Sequence, residues 1–162
     1  MTEYSGTPLG EADPATITEF WKRYLVGGSA AQPEAWPFGD SVELADELLA
    51  LVLEGTKRAT AGSVAEHELE GTPLPRAGDL EIVTDGAMRP RVVIQLTDVR
   101  IGPLSSVDDQ FAYDEGEGDR SRRYWLETHT DFFKRLHAKL GIDFGPEMAT
   151  VFQRFDVVYR ED

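Results

Sequence analysis

Apolar residues recur every three or four positions in three stretches of the chain, and this spacing predicts three amphipathic helices. The helices are expected at about residues 14–26, 41–54 and 120–139. Asp40 is expected to cap the second, because an acidic cap followed three residues later by glutamate is typical of a helix start. Residues 29–37 are rich in alanine and proline and are predicted to form a loop.

Alternating or β-branched apolar runs predict strands at residues 79–84, 91–100 and 150–159, and a shorter strand is expected at residues 57–63, after the second helix. The first two are separated by a short turn and are expected to form a hairpin. Short helices are predicted at residues 63–69 and 105–113. Strands and helices do not alternate regularly, so the pattern favours an α+β fold, a small mostly antiparallel β-barrel with helices packed outside.

The length of 162 residues suits one domain, expected over residues 13–162 after a flexible N-terminus at residues 1–12. The chain has no cysteine, which excludes disulfides, thiol catalysis and cysteine-ligated metals. No apolar run approaches the roughly 20 residues that span a bilayer, and no signal peptide is evident. We therefore expect a soluble cytoplasmic protein with no membrane partner.

The net charge of −14, from 16 basic and 30 acidic side chains, bears on the class of ligand. An acidic surface repels polyphosphates, so no duplex DNA partner is expected. Most of the carboxylates are explained by solubility alone. A local basic site on an otherwise acidic surface is still compatible with this charge, because arginine suits the recognition of phosphate.

Two cations, Lys57 and Arg58, follow directly after the second predicted helix. They are explained equally well by the helix dipole, which favours positive charge at a C-terminus, and by a role in a functional site. The second candidate feature is the glycine-spaced acidic tract at residues 114–119, predicted to be a loop. Its spacing is not that of a calcium loop, but a carboxylate beside Lys57 would be suited to proton transfer.

The three histidines, His67, His129 and His137, do not have the spacing of a metal site, and no metal or other cofactor is expected. His129 lies on the apolar stripe of the third predicted helix, where a packed or hydrogen-bonded core role is favoured. His137 lies off that stripe and is expected to face solvent.

Several short motifs, taken together with their order and spacing, resemble those of the ASCH family. They are Phe38-Gly39-Asp40, Leu44-Ala45-Asp46, Gly55-Thr56-Lys57-Arg58-Ala59-Thr60, Pro75-Arg76-Ala77-Gly78-Asp79-Leu80 and the block from Ala112 to Ser121. The resemblance extends over about residues 36–159. It implies a PUA-like β-barrel and a link to RNA or to nucleosides.

Members of the ASCH family have been described as RNA-binding domains, as ribonucleases of single-stranded RNA and as amidohydrolases of acylated cytidine. In the amidohydrolases a lysine, a threonine and a glutamate form the working set. The resemblance places these at Lys57, Thr60 and Glu115. We expect the three side chains to converge on one cleft.

Three functions follow from this resemblance. The leading one is metal-independent cleavage of single-stranded RNA, in which Glu115 and Lys57 transfer protons and Arg58 stabilises the phosphorane. The alternative enzyme is an amidohydrolase of N4-acylated cytidine-type nucleosides, in which Thr60 attacks the amide and Lys57 accepts its proton.

The third function is a non-catalytic module that binds RNA or senses a ligand. Trp36 and Phe38 are candidate stacking surfaces for an unpaired base, although a place at the edge of the core explains them at least as well. Ser121, at the end of the acidic block, is a further candidate for substrate binding.

Overall fold

The structure is a computed structural model, and it describes residues 6–162. Its helices are α1 (Pro14–Tyr24), α2 (Val42–Glu54), α3 (Val64–Glu70), α4 (Asp109–Glu115) and α5 (Arg122–Leu140), with a 3-10 helix at Leu104–Ser106. Its strands are β1 (Ala35–Pro37), β2 (Ala59–Ser63), β3 (Leu80–Thr84), β4 (Pro90–Pro103) and β5 (Ala149–Arg160). The predicted α+β class is confirmed.

The strands form one sheet in the order β1-β3-β4-β5-β2. The predicted hairpin is present, with β3 and β4 antiparallel and Leu80 opposite Gln95. Strands β2 and β5 are also antiparallel, and Thr60 lies opposite Gln153. Strand β1 runs parallel to β3, so the prediction of a loop over residues 29–37 is wrong at its end. A residue before proline favours extended backbone, and Trp36 precedes Pro37 in this short strand.

Helix α1 begins as predicted, with Asp13 accepting a hydrogen bond from the backbone N–H of Ala15 at 3.3 Å. The cap predicted for α2 is wrong by one residue. Ser41 Oγ accepts from the N–H of Leu44 at 3.2 Å, and the hydroxyl does what was expected of the Asp40 carboxylate.

The chain packs into two compact units. The first comprises residues up to Glu54 together with 80–95 and 156–162. Its core forms where one face of α1 packs on β3 and β4, and its buried members are Ile17, Phe20, Trp21, Ile82 and Val93. Burying side chains of this size contributes roughly 1.5–3 kcal/mol each.

The second unit comprises residues 55–79 and 96–155 and contains every residue of the candidate site described below. Its core lies between α4, α5 and the sheet residues of β2 and β5, and its buried members are Ala59, Leu104, Val107, Phe111, Ala112, Trp125, Phe133 and Phe152. Phe111 meets Phe152 and Trp125 edge to face, at centroid distances of 5.1 and 6.1 Å. This packing fixes α4 and α5 on the sheet.

His137 is buried, with 1% of its surface exposed, and the expectation that it faces solvent is wrong. Its ring nitrogens lie 2.8 Å from Ser63 Oγ and 3.1 Å from the carbonyl oxygen of Asp143. The chain beyond α5 returns along the helix and places the ring of Phe144 6.1 Å from that of His137. The periodicity of α5 alone cannot show that the segment after the helix buries His137.

The predicted flexible N-terminus lies partly outside the described residues, which begin at residue 6. Residues 6–12 are in neither a helix nor a strand. The backbone N–H of Thr7 donates to Glu43 at 2.9 Å, so at least this residue is attached to α2. Among residues 6–162, no helix combines the length and the apolar character needed to cross a membrane.

Candidate functional site

The start of β2 and the end of α4 are held together by their backbones. The N–H of Arg58 donates to the carbonyl oxygen of Asp114 at 2.7 Å. Gly116 then leaves the helix with φ +77°, and a Cβ at this position would lie 2.6 Å from the carbonyl oxygen of Thr56. Only glycine fits both the left-handed conformation and the close approach. This contact brings Glu115 next to Lys57, 58 residues away along the chain.

Lys57 is buried, with 2% of its surface exposed. Its Nζ donates to the carbonyl oxygen of Ala59 at 2.8 Å, to Glu115 Oε2 at 3.0 Å and to Glu117 Oε2 at 3.2 Å. Burial by itself lowers the pKa of Lys57, but the two carboxylates outweigh it and the pKa is raised. Lys57 is therefore a fixed ammonium group, and the interpretation that it only caps the dipole of α2 is wrong.

Glu115, the last residue of α4, lies between two basic groups. Its second oxygen, Oε1, makes no hydrogen bond of good geometry, and His129 Nε2 lies 3.3 Å away from it. Burial alone would raise the pKa of Glu115, but the charges of Lys57 and His129 bring the pKa well below its usual range. Glu115 is therefore the ionised member of the site.

His129 is buried on α5, and its ring stacks on that of Trp125 with centroids 3.9 Å apart. Its Nδ1 lies 2.9 Å from the carbonyl oxygen of Trp125. Burial lowers the pKa of His129, but Glu115 and Glu117 outweigh this and raise it. The predicted packed and hydrogen-bonded role of His129 is confirmed, and the same residue also belongs to the charged site.

Glu117 is the most accessible carboxylate of this group, with 14% of its side chain exposed. It lies between Gly116 and Gly118, which have φ +77° and +57°, and the alternation turns its carboxylate back towards Lys57. Burial and the neighbouring charge of Glu115 raise the pKa of Glu117 to about 7, although Lys57 opposes the change. Glu117 therefore exchanges its proton near neutral pH. We call Lys57, Glu115, Glu117 and His129 the Lys57 cluster.

Asp114 forms a second group of ion pairs beside the Lys57 cluster. Its carboxylate accepts from Arg58 at 3.0 Å, from Gln110 at 3.1 Å and from Arg154. Burial would raise the pKa of Asp114, but the hydrogen bonds and charges of these neighbours lower it. The side chain of Arg58 is 57% exposed, so its guanidinium is accessible although it is paired.

Glu115, Glu117 and His129 have ligand atoms within 4.8 Å of one another and could, by type and spacing, hold a metal ion. The ammonium of Lys57 lies within 3.2 Å of both carboxylates. A divalent ion would have to approach this fixed positive charge, so the ammonium supplies the cation of the cluster.

The structure brings together Lys57 and Glu115 of the predicted site residues, in a buried ion pair. Thr60 lies half-buried on β2, and within the described chain its side chain makes no hydrogen bond to Lys57 or Glu115. Ser121 Oγ caps α5 by accepting from the N–H of Tyr124 at 3.1 Å. The role of Ser121 in substrate binding stays a prediction.

The two aromatic candidates belong to the first unit and contact each other edge to face, with centroids 4.8 Å apart. Phe38 is 2% exposed, so its ring offers no face to a base in this structure. Trp36 is half-buried as a member of β1. Packing explains Phe38, and the role of Trp36 as a stacking surface stays a prediction.

Sequence reasoning missed Glu117 and His129 as members of the site. The predicted loop at residues 114–119 is wrong at its start, because Asp114 and Glu115 form the last turn of α4. Glu117 has one local signal, a glycine on each side. His129 lies four residues after Trp125, on the same face of α5, which predicts burial but not a carboxylate partner.

The chain is similar to known proteins over most of its length. The family model of the ASCH domain matches residues 34–159. Protein EF3133 from Enterococcus faecalis V583 is 36% identical, with a TM-score of 0.82 over 89% of this chain and 88% of that one. An ASCH domain from Lactobacillus crispatus JV V101 is 31% identical, with a TM-score of 0.80 over 90% and 96%. None of the curated proteins compared with the chain matches it.

Proposed function

The chain belongs to the ASCH domain family, and we propose that it is a hydrolase of small neutral amides of the N4-acylated cytidine type. The observation that carries the proposal is the buried ammonium of Lys57 between two carboxylates, one of which has a pKa of about 7. A group that exchanges its proton near the working pH is what general acid–base catalysis requires.

The charges around the cluster favour a neutral substrate over a polyanion. Lys57 is matched by Glu115 and Glu117, and Arg58 and Arg154 are matched by Asp114. A phosphodiester would have to compete with these internal carboxylates for each cation. A neutral nucleoside also avoids the repulsion from a chain with net charge −14.

In the proposed reaction the hydroxyl of Thr60 adds to the amide carbonyl, and Glu117 accepts the hydroxyl proton. Once Glu117 has taken the proton its carboxyl is neutral, and the ammonium of Lys57, which its raised pKa keeps charged and unsuited to act as the base, stabilises the oxyanion by its positive charge. The C–N bond then breaks as Glu117 returns the proton to the departing amine. Water hydrolyses the resulting ester in the same way and frees Thr60.

The test is release of cytidine from a panel of N4-acylated cytidines, followed by chromatography between pH 5 and pH 9. We expect the rate to rise with pH through about 7 as Glu117 loses its proton. E117Q and T60A should lower kcat by at least about 100-fold. D119N is the matched control, because Asp119 belongs to the same loop and is exposed, and it should retain activity within about threefold of the unaltered protein.

Two results would contradict the proposal: no release of cytidine from any member of the panel, or activity of E117Q equal to that of D119N. A further variant, K57M, tests whether Lys57 stabilises the oxyanion or acts as the base. K57M should lower kcat even at a pH at which Glu117 is ionised, because a positive charge next to the oxyanion is lost, and it should move the midpoint of the pH profile upwards, because Lys57 opposes the protonation of Glu117. If Lys57 were the base, the rate of the unaltered protein would instead rise only towards the raised pKa of Lys57.

Cleavage of single-stranded RNA is the second candidate, and the exposed guanidinium of Arg58 next to the cluster favours it. The test is incubation of end-labelled single-stranded RNA with the protein in the presence of a chelator. Cleavage that is lost in both R58A and K57M would support this activity. RNA retained by the protein without any cleavage would instead support a binding module.

A further inference from the structure

We propose that His129 is a positioning residue of the Lys57 cluster, held as an imidazolium cation so that Glu115 stays ionised and Glu117 is the carboxylate that exchanges a proton. This inference rests on the proposed function only for its kinetic consequence, because the protonation states themselves are properties of the folded protein. It identifies what sets the pH range in which the site works.

The hydrogen-bonding partners of the ring carry the argument. Nδ1 lies 2.9 Å from the carbonyl oxygen of Trp125, which can only accept, so Nδ1 carries a proton. In a neutral ring the other nitrogen, Nε2, would then present a lone pair to Glu115 Oε1, 3.3 Å away. Two acceptors at that distance repel each other, and the contact is favourable only if one of the two groups gains a proton.

The proton belongs on the ring rather than on Glu115. The other oxygen of Glu115 accepts from the Lys57 ammonium at 3.0 Å, and a carboxylate next to a buried ammonium is stabilised in its ionised form. Protonating Glu115 would leave that ammonium with the carboxylate of Glu117 as its one remaining anionic partner. An imidazolium donates from Nδ1 and forms an ion pair with Glu115 through Nε2, which keeps every charge of the cluster paired.

Counting the charges shows what His129 adds. Glu115 and Glu117 face the ring from α4 and from the loop after it, and Lys57 lies on the other side of both carboxylates. Trp125 and Phe133, which contact the ring from α5 itself, are uncharged. With His129 charged, both carboxylates can ionise and the cluster is neutral; without it, one ammonium faces two anions.

The ring is also fixed in orientation. It stacks on Trp125 with an interplanar angle of 12°, and about a tenth of its surface is exposed. Rotation would break both polar contacts and the stacking at once. The imidazolium therefore acts at a constant distance from Glu115, as a positioning residue rather than one that reaches a substrate.

The first test is nitrogen-15 NMR of the histidines in the full chain, without any substrate. Both ring nitrogens of His129 should show the shifts of an imidazolium at pH 7.5. A neutral ring at that pH would overturn the inference. This measurement does not depend on catalysis, so it remains decisive even if no amide is hydrolysed.

The second test compares H129Q with H137Q. Glutamine can donate to Glu115 but has no charge, so H129Q should raise the midpoint of the Glu117 carboxyl titration, read by carbon-13 NMR, by about one pH unit. His137 is the matched control, because it is also buried on α5 but its ring nitrogens lie against the hydroxyl of Ser63 and a backbone carbonyl. H137Q should leave the midpoint unchanged.

The same shift should appear in the kinetics if the proposed function is correct. H129Q should lower kcat about tenfold at pH 6 and leave KM little changed, and the loss should diminish above pH 8. Equal midpoints in H129Q and the unaltered protein would overturn the inference. Shifted midpoints in a protein that hydrolyses no amide would support the inference and refute the proposed function. If H129Q does not fold, the histidine spectrum of the unaltered chain decides the question alone.

Discussion

Replacing Lys57 by methionine removes the charge at the centre of the cluster while keeping a side chain of similar length. The perturbation is well defined because Lys57 is buried and its three polar contacts are known. Methionine fills most of the same volume, so little cavity forms. What remains is the buried Glu115 beside His129, the partly buried Glu117 without its ammonium, and a carbonyl oxygen of Ala59 without its donor.

Breaking one side of a buried ion pair costs about 3–5 kcal/mol, because the remaining charge is left uncompensated. We therefore expect K57M to lose about 4 kcal/mol of unfolding free energy at pH 8. In the variant the folded-state pKa of Glu117 rises further above its unfolded value, because Lys57 no longer opposes the effects of burial and of Glu115, so stability is lost as the pH rises. At pH 5 a proton shared by Glu115 and Glu117 replaces part of the lost contact, and the deficit should fall to about 2 kcal/mol.

The assay is urea unfolding followed by circular dichroism at pH 5 and pH 8, with K139M as the control. Lys139 is exposed on α5, and its replacement should cost less than about 0.5 kcal/mol. At pH 8 the double variant K57M/E117Q should be more stable than K57M, since one buried negative charge is gone. A K57M protein within about 1 kcal/mol of the unaltered chain at both pH values would refute the assignment of a buried ion pair.

Two further stability predictions concern the residues that position the cluster. D114N should cost about 1–3 kcal/mol at pH 7. The difference should shrink as the pH falls below the ordinary aspartate pKa of about 4, because the stability that a lowered carboxyl pKa contributes is complete above the unfolded-state pKa and is lost as the pH falls through the folded-state pKa. A deficit that urea unfolding finds unchanged at low pH would contradict this. G116A should lower the melting temperature more than G141A does. Both glycines have positive φ, but of the two only Gly116 lies against a backbone atom, the carbonyl oxygen of Thr56. Equal melting temperatures of the two variants would contradict the close approach.

Most helices of the fold could be predicted because their signals are local. Asp13 before Pro14 starts α1, and a glycine in the left-handed conformation ends α5 at Gly141. The cap of α2 was predicted wrongly because the sequence offers two suitable cap residues, Asp40 and Ser41. The backbone conformation at the helix start determines which of the two side chains reaches the free N–H, and it is Ser41. Strand β1 was missed because three residues carry no periodicity.

The site could be predicted only in part. Lys57 and Glu115 were found through the family motifs, and their contact is made by a backbone approach at Gly116 that no periodicity encodes. His129 lies 72 residues beyond Lys57, on a helix whose sequence pattern specifies burial and nothing more. Long-range placement of a polar side chain on an apolar face is what single-sequence reasoning cannot supply.

Glu115 and Glu117 show how one chain gives two identical side chains different acidities. Glu115 closes α4 between Lys57 and His129, and its pKa lies well below the usual range, whereas Glu117 shares one ammonium with a neighbouring anion and has a pKa of about 7. In active sites with two carboxylates, different pKa values let one carboxylate stay charged while the other transfers protons. The left-handed Gly116 between them makes this possible, because it turns the chain so that both carboxylates face one ammonium. A regular helix would place residues two apart on different sides, and the two glutamates would then titrate independently.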